Sequence, residues 1–187
     1  MIHILERGSL HSGYLNVERI KVRLSDGSEV VREVESHGEA VAVLPYDAAR
    51  RCVLTVSLYR APVFVTSGAE MLEEACAGMI DAGEDAATAT RREAQEELGV
   101  VLTDLEPIGR LYSTSGVSTE RISLYLARYS LADRTGKGGG LAEEHENITV
   151  IERSVASLAA DADTGRIENA QLFQLTLALR LRHPELF

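Results

Sequence analysis

Three glutamates, Glu93, Glu96 and Glu97, stand at positions i, i+3 and i+4 of a stretch with helical periodicity. At this spacing the three side chains project from one face of a helix. Like charges so close together repel one another, and bound divalent cations would relieve that repulsion. Carboxylate oxygens are the ligands that Mg²⁺ and Mn²⁺ prefer. The cluster predicts either a divalent-metal site or a solvated acidic helix face, and these three residues alone leave both open.

The residues around the cluster form a longer pattern. Gly78 is followed after five residues by Glu84, and after seven more by Arg92 and Glu93; an apolar residue, a glutamine, two glutamates, a leucine and Gly99 complete it. This segment resembles the signature of the Nudix family at every specified position. Seven specified residues, each with roughly 6% usage, make a chance match in one chain about a one-in-a-million event. The pattern therefore favours the metal site over the solvated face.

A helix is predicted over residues 85–98 and would carry the three glutamates. Ala86, Ala89, Ala94 and Leu98 share one side of it, and Gly99 stands where a C-terminal cap belongs. Apolar alternation and turn residues predict the elements around it. Strands are predicted within residues 13–34 (with a turn at 25–28), 40–44, 52–59, 70–79, 108–112, 121–129 and 150–151, helices at 154–161 and 169–182, and a flexible loop at 135–140. The predicted fold class is α+β.

Composition restricts the partners and the location of the protein. The chain has 187 residues and a formal net charge of −10, which argues against non-specific nucleic-acid binding. No apolar run approaches the roughly 20 residues of a membrane helix, so we expect no membrane partner. Cys52 and Cys76 show no metal-ligand spacing and are expected to be buried thiols, which suits a cytoplasmic protein.

The Nudix resemblance implies a fold and a set of roles. The fold would be an α/β/α sandwich with a mixed central sheet, and the cofactor would be Mg²⁺, with Mn²⁺ as an alternative. The implied metal ligands in this region are Glu93, Glu97 and the Ala77 carbonyl; Glu96 is an additional catalytic glutamate; Gly78, Glu84 and Arg92 are structural.

Segments outside the signature narrow the resemblance. Residues 77–80, 116–121, 140–148 and 165–170 are similar to the bacterial ADP-ribose pyrophosphatase branch, which also contains GDP-mannose hydrolases. The resemblance implies hydrolysis of ADP-ribose to AMP and ribose 5-phosphate. Ser115 replaces a proline that usually marks ADP-ribose enzymes, so GDP-mannose or another nucleotide sugar remains an alternative substrate. A non-catalytic sensor of nucleotide sugars is the alternative from another class.

The branch also implies roles for residues outside the helix. In residues 141–148, Glu144 matches the position of the general base and Glu146 that of a further metal ligand. Arg60, Glu74 and Gly116 match positions that bind the substrate, although Arg60 could equally be a solvated arginine at a strand end.

Members of this branch are typically dimers that exchange N-terminal strands. The resemblance therefore implies a homodimer in which residues 1–38 form a β appendage and residues 39–187 form the hydrolase domain.

Overall fold

A computed structural model describes residues 1–141 and 147–187. Its first three strands, β1 (His3–Ser12), β2 (Asn16–Arg23) and β3 (Glu29–Ser36), form an antiparallel three-stranded sheet in sequence order. The β2–β3 turn is closed by Leu24 and Ser28, because the Leu24 amide donates to the Ser28 carbonyl over 2.8 Å. Asp26 accepts bonds from the Ser28 amide and hydroxyl, which is the local side-chain bonding that favours aspartate in turns.

The second sheet has seven strands. They are β4 (Glu39–Asp47), β5 (Cys52–Leu58), β6 (Leu72–Glu74), β7 (Cys76–Met79), β8 (Leu105–Tyr112), β9 (Arg121–Arg128) and β10 (Thr149–Ser154). The order is β10-β5-β4-β9-β8, with β6 paired to β5 and β7 paired to β4. β4 and β5 carry almost continuous buried residues instead of alternating ones, which is the pattern of strands covered on both faces.

Within residues 1–141 and 147–187, four α-helices accompany the strands: α1 (Ala61–Ser67), α2 (Ala86–Leu98), α3 (Val155–Asp163) and α4 (Ala170–Arg182). Polar side chains cap three of them, since Asp85, Ser154 and Asn169 accept bonds from backbone amides in the first turns of α2, α3 and α4. Short 3-10 turns lie at Leu131–Asp133 and Pro184–Leu186. Among the described residues no helix is long and apolar enough to cross a membrane.

Most predicted elements are confirmed, with three differences. β1 and α1 were not predicted from periodicity. The predicted break at residues 45–47 is wrong, because β4 continues through Pro45 to Asp47 and the turn follows it. Asp47 starts that turn, since its carboxylate accepts bonds from the amides of Ala49 and Arg50 over 2.9 and 3.0 Å. The third difference is the loop at 135–140, which is held by backbone hydrogen bonds to the end of α2.

The chain divides into two compact units: Met1–Glu39 with Arg110–Ile122, and Ala40–Gly109 with Ser123–Phe187. In the first unit, β3 bonds to the segment that joins β8 to β9, since the Glu35 amide donates to the Val117 carbonyl and the Thr119 amide donates to the Glu35 carbonyl. The second unit contains the main apolar core, whose members include Leu54, Leu98 and Leu102. The signature residues 78–99 all belong to the second unit.

Candidate active site

Helix α2 carries the acidic face and packs against strand β7. Ala89, Ala94 and Leu98 are fully buried, so the apolar side of the helix faces the core and the glutamates emerge beside it. Glu93 and Glu96 are partly exposed, whereas Glu97 is 3% exposed. The sequence placed the three glutamates on one face, and the structure shows that they differ in burial.

Arg92 links the acidic residues. Its guanidinium donates to both oxygens of Glu84 over 3.2 and 3.0 Å, to Glu93 over 2.7 Å, to Glu96 over 3.1 Å and to the Met79 carbonyl over 2.9 Å. The hydrogen bonds to Glu84 raise the pKa of Arg92 and lower the pKa of Glu84 below its ordinary value, so both groups stay charged. Arg92 therefore does more than brace the loop through Glu84, because it also offsets the repulsion within the acidic face.

The carboxylate of Glu93 occupies the space that a side chain at position 78 would need. A Cβ built on Gly78 would overlap the carboxylate of Glu93. Gly78 lies in β7, which pairs with β4 through Val41, so the strand cannot move away without breaking the sheet. The absence of a side chain at Gly78 is thus what allows the Glu93 carboxylate to rest on the backbone of β7.

Glu97 joins the helix to the same strand. Its buried carboxylate accepts a hydrogen bond from the Ala77 amide over 3.1 Å. Ala77 is held in register by β4, opposite Ala42. The structure therefore brings Ala77, Glu93 and Glu97 together, as expected for residues that share a site.

The donor set of Ala77, Glu93 and Glu97 fits a hard divalent cation by its chemistry, because all three residues supply oxygen atoms. Among residues 1–141 and 147–187, no three acidic, histidine or cysteine side chains converge as a metal-binding cluster. Part of the reason is visible: Arg92 holds Glu93 and Glu96, and the Ala77 amide holds Glu97. Mg²⁺ usually takes one or two protein carboxylates and fills its remaining positions with water and substrate phosphates. An incomplete set of oxygen donors is therefore compatible with this ion.

Arg60 and Glu74 pair with each other. Arg60 precedes α1, and its guanidinium makes two hydrogen bonds of 3.0 Å to the carboxylate of Glu74 on β6. Glu74 is 6% exposed. Arg60 is therefore both a solvent-exposed arginine near the end of β5 and one partner of a two-pronged ion pair with a buried carboxylate.

Three further residues were predicted for the site, namely Gly116, Glu144 and Glu146. Gly116 is an exposed residue of the first unit. Glu144 and Glu146 lie outside the described residues. Sequence reasoning missed one contributor, the backbone of residues 138–140, which bonds to the end of α2. The only signal for it in the sequence was the run of glycines.

Known proteins resemble this chain over most of its length. The NUDIX domain family model matches residues 36–184. The ADP-ribose pyrophosphatase of Escherichia coli strain K12 is 31% identical over 190 residues, covering 99% of this chain and 90% of the relative. The GDP-mannose pyrophosphatase of Cronobacter sakazakii is 33% identical over 187 residues, covering 97% and 96%.

A solved structure has a similar fold. A crystal structure of an ADP compounds hydrolase superposes with a TM-score of 0.74 at 20% identity, covering 97% of this chain and 96% of that one. The family model spans the strand β7, the loop and the helix α2 that carry the signature residues. The predicted Nudix fold is confirmed, and the chain belongs to the Nudix family of hydrolases.

Proposed function

We propose that the protein hydrolyses the pyrophosphate bond of a nucleoside-diphosphate sugar, with ADP-ribose as the first candidate and AMP and ribose 5-phosphate as its products. The observation that carries the proposal is the complete acidic face of α2, packed on β7 through the contact of Glu93 with Gly78. The names of relatives that match nearly the full chain support the substrate class.

Nudix hydrolases generally use divalent metal ions. We assign the metal to Mg²⁺, with Mn²⁺ as an alternative, and its ligands to Glu93, Glu97, the Ala77 carbonyl and Glu146. Such an ion, when bound, neutralises phosphate charge and makes a bound water more acidic. The protein's contribution is to hold the carboxylates against β7, so that little reorganisation is needed when substrate arrives.

The chemical step is attack by water on one phosphorus. A new bond forms between the water oxygen and phosphorus, and the bond from that phosphorus to the bridging oxygen breaks. A general base takes the proton of the water. We assign this role to Glu144, with Glu96 as the next candidate, because Glu96 stands on the acidic face and is oriented by Arg92.

Substrate binding would involve Arg60, Glu74 and Gly116. A guanidinium binds phosphate as well as carboxylate, so we assign Arg60 to a substrate phosphate and Glu74 to keeping Arg60 oriented. In this arrangement the buried carboxylate of Glu74 fixes the direction of the guanidinium before substrate arrives.

GDP-mannose is the second candidate substrate. Ser115 stands where ADP-ribose enzymes usually have a proline, and the GDP-mannose pyrophosphatase of Cronobacter sakazakii is as similar to this chain as the ADP-ribose relative. A non-catalytic sensor is the weaker alternative, because the chain retains every glutamate of the signature.

The sheet of β1, β2 and β3 supports the proposal of a homodimer. Nine of the ten residues of β1 are exposed, and the apolar side chains of Ile4 and Leu10 are 63% and 52% exposed. β1 also lies at the edge of this sheet, and an edge strand can pair with a strand of a second chain. We assign residues 1–38 to dimerisation and residues 39–187 to hydrolysis.

We also assign the protein to the cytoplasm, because the buried thiols of Cys52 and Cys76 fit a reducing compartment.

The test is product analysis with purified protein, Mg²⁺ and a panel of ADP-ribose, GDP-mannose, UDP-glucose and NADH. We expect one nucleotide sugar to be cleaved to a nucleoside monophosphate and a sugar phosphate, and EDTA to stop the reaction. If no compound in the panel is cleaved while one binds tightly, the sensor replaces the enzyme.

A further inference from the structure

Residues 138–140, the glycine segment, lie against the C-terminal end of α2. The Gly139 amide donates to the Glu97 carbonyl over 2.9 Å, and the Gly140 amide donates to the Glu96 carbonyl over 3.1 Å. The last four carbonyls of a helix have no partner within the helix, so an outside donor must satisfy them. Here the donors reach the backbones of two glutamates of the acidic face.

The helix end is already capped at the two preceding carbonyls. Gly99 adopts a left-handed conformation with φ 66°, its amide donates to the Gln95 carbonyl over 3.1 Å, and the Val100 amide donates to the Ala94 carbonyl over 3.2 Å. The glycine segment thus adds two bonds to an end that has its own cap. The backbone carbonyls of Glu96 and Glu97 accept these two bonds.

Only glycine fits this arrangement at position 138. Gly138 has φ 67°, and a Cβ on it would overlap the Glu97 carbonyl and come within 2.7 Å of the Leu98 backbone. Gly136 differs, because its φ is not in the left-handed region and its Cβ would meet only ordinary contacts at 3.7 Å or more. Gly136, which lies just before the glycine segment, is therefore a matched control for Gly138.

We propose that the glycine segment is a positioning element of the active site, which fixes the last turn of α2 and thereby the carboxylates of Glu96 and Glu97. Glu97 is then held at both ends, since Gly139 holds its carbonyl and the Ala77 amide holds its carboxylate. A displacement of about 1 Å in catalytic groups costs up to 10²-fold in rate. The inference rests on the proposed function for its kinetic consequence, whereas its consequence for metal binding does not depend on turnover.

The experiment compares Gly138→Ala with Gly136→Ala and the wild-type chain. Mn²⁺ binding to metal-free protein is measured by titration calorimetry, kcat is measured at saturating metal and nucleotide sugar, and thermal melts define a temperature at which every variant is folded. Gly138→Ala is expected to weaken Mn²⁺ binding and lower kcat by tenfold or more. Gly136→Ala is expected to stay within twofold of wild type in both.

A purely structural role predicts a different result. Gly138→Ala would then melt at a lower temperature but show wild-type Mn²⁺ affinity and kcat when folded, and that outcome overturns the proposal. If Gly138→Ala does not fold, Gly139→Ala takes its place, because its φ of 114° imposes strain while its nearest contact is 3.7 Å away. Failure of wild type to cleave any nucleotide sugar refutes the proposed function and leaves the Mn²⁺ comparison valid.

Discussion

Gly78→Ala tests the contact on which the acidic face depends. The added methyl group would overlap the Glu93 carboxylate, and ordinary contact requires at least 3.4 Å, so the carboxylate must retreat by more than about 1 Å. Displacements of this size cost about 10²-fold in rate, equivalent to ~2.7 kcal/mol in the activation free energy. We expect kcat for the best nucleotide sugar to fall by that factor, measured by release of the nucleoside monophosphate with saturating Mg²⁺.

Gly109→Ala is the matched control, because Gly109 is also a strand glycine and a Cβ there would meet nothing within 4 Å. A second variant separates displacement from misfolding. Glu93→Asp shortens the side chain, so adding Gly78→Ala to it is expected to cost much less than Gly78→Ala costs in wild type. If Gly78→Ala alone keeps a rate within threefold of wild type, the contact does not position Glu93 and the reasoning fails.

Three further predictions concern stability and pH. The bonds from Arg92 lower the pKa of Glu84. Glu84 therefore stabilises the folded state above its ordinary pKa of 4.5, and this stabilisation is lost as the pH falls through the pKa of the folded state. The melting temperature of Glu84→Gln is expected to lie below that of wild type at pH 7 and to approach it in acid. Leu98→Ala, at a fully buried position, is expected to cost about 2–5 kcal/mol in urea unfolding, and a loss below 1 kcal/mol would contradict the packing of α2. Arg60→Ala removes a partner of the buried Glu74 and is expected to lower the free energy of unfolding by about 1–3 kcal/mol. The same substitution made in a Glu74→Ala variant is expected to cost much less.

The site could be predicted from the sequence where a short pattern fixes local geometry. The spacing of Glu93, Glu96 and Glu97 determines their common helix face, and Gly99 determines where that helix ends. The pairing of Glu84 with Arg92 followed from the family signature. The signature did not reveal that Arg92 also binds Glu93 and Glu96, because those contacts depend on which way the guanidinium turns.

The remaining features depend on contacts between distant parts of the chain. The predicted loop at 135–140 was expected to be flexible because glycines lack side chains. The structure uses that same property for close approach, since Gly138 lies against the backbone of Glu97 some forty residues away. The pair of Arg60 and Glu74 is another such contact, as it requires β6 to lie beside β5.

β1 and α1 could not be predicted from the sequence pattern, for a different reason. β1 has an exposed residue at nearly every position, so it lacks the alternation of a half-buried strand. α1 has seven residues and no buried side chain, and so it has no apolar stripe to recognise.

The central claim is that the acidic face of α2 carries the hydrolysis, and its most direct measurement is kcat of Glu97→Gln for the best nucleotide sugar at saturating Mg²⁺. Glu168→Gln, the same substitution at an exposed site before α4, serves as the control. The account predicts that Glu97→Gln, while still folded, loses at least 10³-fold in kcat (roughly 4 kcal/mol in activation free energy) and that Glu168→Gln keeps the wild-type rate. A folded Glu97→Gln variant with a near-wild-type rate would contradict it.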